Sequence, residues 1–549
     1  MKQFEYSLQP IDSGVFVETF GYETDDPAAR FFLRDLFPND SLSSRKVKRA
    51  HLQGVWRRYD LGRVRLGRPF FELNLPEGAV VEFALSEGLH HQRVAPYITL
   101  STGTSCNMWH FVASGGLQRF EPLMPLGGRF LEIHVVCEPG KVLFRDERFL
   151  ERGYFDEALG HFECADENLN QIWQAGVETL RACTEDALVD NPTRERGQWT
   201  GDVLTSQETM SAAFNDFRLA RRALVQAAQS AGAGGLISAL SPACHVPIPS
   251  YAAQWVAMCV RYHELSGDIS LLEEMLDAAC HNLQVFEPHV AADGLHDVPG
   301  WNFIDWGYVR GGETMDIALN LHYLEALRAM SVWCARLNKT ALEQNFNEQA
   351  EHLTQCLDAI LTTHFSLARL QDVTSSFSFH AAALALRLGF FTEPKFPKDN
   401  LCHVVSRLKQ HMMQCFPNDA NAPMLSDPSA ATPRTITPFF GHFALSALLE
   451  QGEDDFVLDQ FRNCWGWMLE DGRTTCLEVF DTRWSHCHAW STCPTWQLSQ
   501  YMLGLRRRFD WGENHFSFNL HTGSLQSATG RVPLQEGISE VSWRREDAT

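Results

Sequence analysis

The sequence is poor in positive charge and lacks segments that would take it to nucleic acid or a membrane. Its 46 Lys and Arg residues face 68 Asp and Glu residues, a formal net charge of -22 at pH 7. A chain this acidic repels phosphate backbones and anionic lipids, so we expect no nucleic-acid partner and no membrane docking. No apolar run reaches the roughly 18 residues of a membrane helix, and no signal-peptide core follows Met1–Tyr6. We therefore expect a cytoplasmic protein.

Motifs for metals, nucleotides and nucleophilic serines are also missing. The 15 Cys residues follow neither a disulfide framework nor a zinc spacing, as in reduced cytoplasmic proteins. His486-Cys487-His488 and Cys493 form a ligand-like group, but no second ligand pair accompanies them. The Gly-rich run at 231–235 follows no predicted strand, and neither G-x-S-x-G nor H-E-x-x-H occurs. We expect no metal and no cofactor.

The composition of the chain is that of a folded protein with an excess of tryptophan. Its 549 residues, 45% hydrophobic and 21% charged, are enough for two or three domains. Fifteen of the residues are Trp. Tryptophans fill large cores, and they also stack on flat or apolar ligand faces.

Hydrophobic periodicity divides the chain at 1–155, 156–505 and 506–549. The first stretch alternates apolar and polar residues with a period of two, as at 71–75, 81–85 and 130–135, and predicts an antiparallel β-sandwich domain. The last stretch alternates again and predicts a short β-tail that packs on the helical domain or joins the first domain.

The middle stretch has helical spacing, as at Ile317, Leu321, Leu324 and Leu327. It predicts roughly twelve helices, too many for a simple bundle but suited to six inner and six outer helices. Their predicted starts lie near residues 167, 203, 216, 251, 269, 314, 340, 376, 400, 436, 454 and 487. The fold class is thus mainly α, with a helical double ring between two β regions.

The densest polar segment runs from Asp190 to Asp202 and reads DNPTRERGQWTGD. Its Pro and Gly residues predict a loop, and Asp202 could cap the helix expected at Val203. A solvated loop with ion pairs is the simplest interpretation. Trp199 argues against it, because a solvated loop has little use for a Trp among charges, and neighbouring Arg and Glu residues can tune a carboxyl pKa.

Two further segments combine aromatic and polar residues. Trp301–Trp306 reads WNFIDW, either a buried connection capped by Asp305 or an aromatic wall for a sugar whose hydroxyls the carboxylate binds. In the segment 474–490, Glu478 lies among apolar residues, which favours either a paired buried carboxylate or a catalytic one. Taken alone, His488 there is more typical of a core histidine.

These three segments resemble the family 78 glycoside hydrolases, the α-L-rhamnosidases. Asp190–Asp202 resembles the family signature Asp-Cys-Pro-x-Arg-Glu-Arg-x-x-Trp-x-Gly-Asp, with Asn191 in place of Cys. Trp301–Trp306 resembles the family's Trp-x-Phe-x-Asp-Trp segment, and Glu478 with Ser485-His486-Cys487-His488 resembles its Glu and Ser-x-x-His. Where a Trp commonly precedes that Glu, this chain has Leu477.

The resemblance implies an (α/α)6 six-hairpin barrel and removal of terminal non-reducing α-L-rhamnose from small rhamnosides with inversion. It implies that Glu195 is the general acid and that Glu478 is the general base, which must stay charged. The implied sugar-binding residues are Asp190, Arg194, Trp199, Asp202, Trp255, Trp301, Asp305, Trp306 and His488.

Two alternatives stay open. The first is another inverting glycosidase on the same barrel, similar to trehalases, glucoamylases or unsaturated glucuronyl hydrolases, which also pair an acid with a base across an aromatic pocket. The second is a catalytically silent sugar-binding protein. The expected partner of a rhamnosidase is a small rhamnoside, with L-rhamnose as the product. The expected assembly is a homodimer.

Overall fold

The computed structural model describes most of the chain: an N-terminal β region, a helical region and a set of C-terminal strands. It covers residues 2–18, 52–90, 92–94, 97–100, 103–242, 244–308, 316–372, 377–392, 396, 398–425, 435–507, 516–534 and 537–546. Within these residues, no helix is long and apolar enough to cross a membrane.

The N-terminal region is an antiparallel sheet organised around one very long strand. Its strands are β1 (Lys2–Ser7), β2 (Asp12–Glu18), β3 (Leu52–Ser86), β4 (Leu89–His90), β5 (Arg93–Val94), β6 (Tyr97–Leu100), β7 (Gly103–Cys106), β8 (Met108–Phe120), β9 (Leu126–Val136) and β10 (Leu143–Gly153). β3 pairs with β2, β8, β9 and β10 along different parts of its length, and β10 also pairs with β1. The remaining strands form the two hairpins β4–β5 and β6–β7.

The alternating residues of the sequence form the core of this sheet. Phe71, Phe83 and Ile133 are fully buried, and Phe71 stacks on Phe83 with ring centroids 5.0 Å apart. Successive strand residues point to opposite faces, so the residues between them line the other face of the sheet, where Glu132 and His134 are also fully buried and their side chains lie 2.6 Å apart. Of the predicted N-terminal β-sandwich domain, the antiparallel sheet is confirmed.

Helices make up most of the region from 167 to 502. They are α1 (Glu167–Ala182), α2 (Thr200–Ala213), α3 (Arg218–Gln229), α4 (Pro249–Ser266), α5 (Ser270–Gln284), α6 (Ile317–Arg336), α7 (Thr340–His364), α8 (Leu367–Gln371), α9 (Phe379–Arg387), α10 (Lys398–Met413), α11 (Pro438–Glu450), α12 (Asp454–Gln460), α13 (Gly466–Met468) and α14 (Cys493–Gln497). Wider helical turns at Phe461–Trp465 and Leu498–Met502 extend α12 and α14. Short two-stranded pairing joins β12 (Gln198–Trp199) to β13 (Leu240–Ser241).

Most predicted helix starts lie within three residues of the observed ones. Those at 314 and 376 fall outside the described residues, and the helices concerned are described from Ile317 and Phe379. The last start was six residues early, because Pro494 at the first turn of α14 sets the beginning of that helix. α8 and α13 were missed because helices this short show no periodicity.

The C-terminal tail lies against the helical domain. Its strands are β14 (Leu505–Arg507), β15 (Phe516–Phe518), β16 (Ser527–Leu534) and β17 (Gly537–Arg544), and β16 pairs with β11 (His161–Cys164) just before α1. Ala528 and Val532 are buried with the helical core. The indole of Trp543 donates to the carbonyl of Met502 at 2.7 Å.

A small apolar cluster joins the N-terminal sheet to the helical domain. Val64 of β3 packs there with Cys183 and Val189, which lie between α1 and the loop 190–199, and with Cys487 and Ala489. The sheet thus contacts the segment 474–490 and the residues directly before Asp190.

Candidate active site

A cavity of about 280 Å³ opens where the polar segments meet. The acidic loop 190–199 lies between α1 and α2, and the segment 473–488 precedes α14. A hydrogen bond from the amide of Ala489 to the carbonyl of Asp190, 2.8 Å long, holds the two segments together. The lining residues are Asp190, Arg194, Glu195, Trp199, Asp202, Ile248, Tyr251, Trp301, Phe303, Trp306, Glu478, Trp484, His488 and Trp490.

One guanidinium links the two candidate catalytic carboxylates. Arg194 donates through Nη1 to Glu195 at 2.8 Å and through Nη2 to Glu478 at 2.9 Å. The indole of Trp199 donates to the other oxygen of Glu195, also at 2.8 Å. The two glutamates therefore line one cavity, and the guanidinium of Arg194 lies between their carboxylates.

The two glutamates differ in their exposure and in their electrostatic environment. The side chain of Glu195 is 31% exposed and that of Glu478 only 3%. Burial raises the pKa of Glu478 to about 7, Arg194 opposes this, and the charge of Glu195 adds to it. Burial thus opposes the charged form that is expected of Glu478, and Arg194 favours it.

Two aspartates and a histidine form the floor of the cavity. Burial raises the pKa of both Asp190 and Asp202 well above the usual range. The next largest cause is the charge of Glu195 for Asp190 and the charge of Asp190 for Asp202, and each raises the pKa further. His488 Nδ1 lies 3.4 Å from an oxygen of Asp202, and burial followed by the charge of Arg194 lowers the pKa of His488. Neutral carboxyls can donate hydrogen bonds as well as accept them.

The backbone explains how these groups reach the cavity. α2 begins at Thr200, so Asp202 lies inside its first turn and does not cap it as the sequence suggested. Gly201 is needed there, because a Cβ atom would lie 2.2 Å from the ring of Tyr251. Arg196 has a φ of 54°, an unusual value for a residue with a side chain, and is tied to the carbonyl of Pro125 at 2.9 Å.

Tryptophans form the apolar wall of the cavity. The rings of Trp301 and Trp306 are 6.1 Å apart, and those of Trp306 and Trp484 are 5.5 Å apart. Trp490 lies 4.1 Å from the ring of His488 and donates its indole N–H to the carbonyl of Glu478 at 2.8 Å. A ring with apolar C–H faces and hydroxyl edges fits such a wall above a carboxyl floor.

Two predicted site residues do not line this cavity. Trp255 is fully buried, donates to the carbonyl of Leu224 at 2.9 Å and packs on Trp333, so its prediction as a sugar wall is wrong. The Asp305 carboxylate accepts hydrogen bonds from His380 Nε2 at 2.9 Å and from Thr437 Oγ1. Asp305 also accepts from the amide of Trp306 at 2.8 Å, and it lines a neighbouring cavity of about 520 Å³.

Sequence reasoning missed five lining residues: Ile248, Tyr251, Phe303, Trp484 and Trp490. Tyr251 stands one helical turn before Trp255 on α4, so it shares the face of Trp255 but lies at the end nearer the cavity. Trp484 and Trp490 flank His488 in sequence, and that enrichment was a usable signal. Phe303 lies within the aromatic segment Trp301–Trp306 that the sequence had already indicated, whereas Ile248 and Tyr251 carried no such signal.

The ligand-like histidines and cysteines near 486–493 are engaged otherwise. Among the residues that the structure describes, no group of three or more His, Cys, Asp or Glu side chains is arranged to hold a metal ion. His486 Nε2 lies 2.8 Å from the carbonyl of Thr482, and Cys493 contacts the carbonyl of Pro438.

Comparison with known proteins gives a family model and solved structures. The model of the bacterial α-L-rhamnosidase six-hairpin glycosidase domain matches residues 157–500. No curated protein matches the sequence.

Two similar solved structures are the family 78 rhamnosidase of Bacillus sp. GL1 and a Klebsiella oxytoca rhamnosidase with rhamnose bound. The first has a TM-score of 0.75 and 24% identity, covering 95% of this chain and 54% of its own. The second has a TM-score of 0.65 and 18% identity, covering 81% of this chain and 88% of its own. A Streptomyces avermitilis α-L-rhamnosidase complexed with L-rhamnose has a TM-score of 0.68 and 16% identity, and the match covers 89% of this chain and 46% of the Streptomyces chain. This chain thus spans about half the length of the first and third.

Proposed function

The chain belongs to the bacterial α-L-rhamnosidase six-hairpin glycosidase family, and from this premise we propose that it hydrolyses small α-L-rhamnosides with inversion. The observation that carries the proposal is the pair Glu195 and Glu478, which face one aromatic cavity and share the guanidinium of Arg194. The (α/α)6 arrangement of the helices belongs to the same proposal and is supported by the family model over 157–500.

The cavity binds the terminal rhamnose. Its volume of about 280 Å³ lies at the small end of ligand pockets, which favours one sugar ring over a longer segment. Trp306 and Trp484 stack on the apolar face of the ring. Asp190 and Asp202 at the floor bind its hydroxyls, and because burial favours their neutral forms they donate as well as accept.

Glu195 is the acid and Glu478 the base. Glu195 is the more exposed of the two and lies where a leaving group can depart to solvent, so it protonates the glycosidic oxygen as the bond from that oxygen to C1 breaks. Glu478 lies deeper and takes a proton from the water whose oxygen bonds to C1. Inversion needs about 6.5–9.5 Å between the carboxyl groups, which leaves room for the attacking water.

Charge around the reaction is balanced by Arg194. Its hydrogen bond favours the ionised form of Glu478, which burial opposes, so the base is available only near and above neutral pH. The same guanidinium orients both carboxylates from one rigid fork, which limits their motion relative to each other.

A panel of aryl glycosides tests the proposal. We expect hydrolysis of p-nitrophenyl α-L-rhamnoside and a loss on the order of 10²–10⁴ in kcat for Glu195→Gln and for Glu478→Gln, with the fold retained by circular dichroism. Cleavage of gluco- but not rhamno-substrates would instead assign another glycosidase on this fold. Rhamnose binding without turnover would assign a silent sugar-binding protein.

A further inference from the structure

Glu87 comes from the N-terminal sheet but contacts both catalytic segments. It follows β3, is 8% exposed, and accepts a hydrogen bond from each segment. Thr193 of the acidic loop donates its hydroxyl to Oε1 at 2.6 Å, and the amide of His486 donates to Oε2 at 2.8 Å. One carboxylate thus joins the loop that carries Glu195 to the segment that carries Glu478.

The surrounding sheet holds Glu87 and the loop in close contact. Asn107 donates to the carbonyl of Thr193 at 2.8 Å, and its own carbonyl accepts from the amide of Leu85 at 3.0 Å. At Gly127 a Cβ atom would lie 2.4 Å from the carbonyl oxygen of Pro192, so strand and loop approach as closely as backbones allow. The position of the loop is therefore set from the sheet.

We propose that Glu87 is a positioning residue that fixes Glu195 relative to Glu478, so that the N-terminal sheet is a working part of the active site. The proposal rests on the proposed function. Its physical basis is that Thr193 stands two residues before Glu195, and His486 donates one residue beyond Ser485, whose carbonyl accepts the amide of Glu478 at 2.9 Å. The shift of either segment moves one catalytic carboxylate, and a misplacement of about 1 Å can cost on the order of 100-fold in rate.

Glu87 also acts on the base through charge. Its carboxylate raises the pKa of Glu478, as a smaller cause after burial and Glu195. A neutral residue at this position should therefore move the pH dependence of Glu478 toward lower pH. A residue that stabilised the fold at a distance from Glu478 would not do this.

Two substitutions separate the hydrogen bonds from the charge. In Glu87→Gln, the amide oxygen can accept from the His486 amide and the amide nitrogen can donate to the Thr193 hydroxyl, so both links can persist without the charge. In Glu87→Ala both links are lost. The matched control is Glu178→Gln, because Glu178 pairs with Arg63 across the same domain interface at 3.0 Å, and its other described partners, Gln174 and Arg181, belong to α1.

The first readout is turnover of p-nitrophenyl α-L-rhamnoside as a function of pH. We expect Glu87→Ala to lower kcat about 10- to 100-fold with little change in KM. Glu87→Gln should keep kcat within a few-fold of the wild type and move the acidic limb to lower pH, and Glu178→Gln should change neither. Wild-type kcat in Glu87→Ala, an equal loss in Glu87→Gln, or an equal loss in Glu178→Gln would overturn the proposal.

The second readout does not depend on activity. Hydrogen–deuterium exchange should accelerate in Glu87→Ala for peptides covering 190–199 and 478–488, including the His486 amide, and stay unchanged there in Glu178→Gln. If the wild type cleaves no rhamnoside, the proposed function fails while this exchange result still decides the role of Glu87. Unchanged exchange in both segments would overturn it.

Discussion

The hydrogen bond from Arg194 to Glu478 should control the pH at which the proposed hydrolysis sets in. Arg194→Met removes the cation while keeping much of the apolar bulk of the side chain. Glu478 would then lose the partner that opposes its burial, and its pKa should rise above the wild-type value of about 7. A base works only when deprotonated, so the acidic limb of the kcat/KM profile should move to higher pH.

The size of the shift follows from the geometry. A cation within hydrogen-bond distance lowers a carboxyl pKa by about 1 to 3, and the distance here is 2.9 Å in a buried site. The wild-type limb should have its midpoint near pH 7, and that of the variant near pH 8 or above. At pH 6 the variant should therefore lose about tenfold or more beyond any pH-independent loss, because each pKa step of one changes the ionised fraction about tenfold.

The assay is kcat/KM for p-nitrophenyl α-L-rhamnoside between pH 5 and 9, with product quenched into alkali before it is read. Arg196→Met is the matched control, since Arg196 lies in the same loop but binds Glu185 and the Pro125 carbonyl, and its limb should not move. Movement of the alkaline limb instead of the acidic one would mean that Glu478 is the acid, and the assignment of the two glutamates would be reversed.

Three further predictions concern stability and binding. Because the pKa of Glu478 rises from 4.5 to about 7 on folding, its ionised form lowers the free energy of unfolding by up to about 3 kcal/mol. This loss is absent below pH 4.5 and complete above pH 7. In urea unfolding, the stability gained by Glu478→Gln over the wild type should therefore grow across this pH range, and a constant difference would contradict the prediction. Tyr251 lines the cavity, so Tyr251→Phe should raise KM or the inhibition constant of rhamnose. Trp255 is buried in the core, so Trp255→Phe should lower the free energy of unfolding and leave KM unchanged. The reverse pattern would mean that Trp255 contacts the sugar. Gly127→Ala should destabilise the protein by about 1–3 kcal/mol and lower kcat, because its Cβ would meet the Pro192 carbonyl; wild-type values of both would refute that contact.

Local patterns in the sequence predicted those parts of the fold that depend on local physics. The helix from Glu167 and the alternating core strand around Phe71 follow from periodicity, and the structure has both. The arrangement of the N-terminal sheet around one long strand could not be predicted. β3 pairs with four strands that lie far away in sequence, and such pairings leave no local pattern.

The candidate site was predictable where its residues cluster in sequence. Asp190, Glu195 and Asp202 lie within one loop and its following helix, and all three line the cavity. Trp255 was misplaced because helical spacing identifies a face but not how far along the helix a cavity opens. Glu87 could not be found, since its partners lie 106 and 399 residues away.

The measurement that tests the central claim most directly is the anomeric form of the first product, followed by proton NMR during hydrolysis of an α-L-rhamnoside. Attack by water activated at Glu478, across the ring from Glu195, predicts that β-L-rhamnose appears first and then mutarotates to the equilibrium mixture. First appearance of α-L-rhamnose would mean retention through a covalent intermediate, and release of no rhamnose would contradict the activity itself.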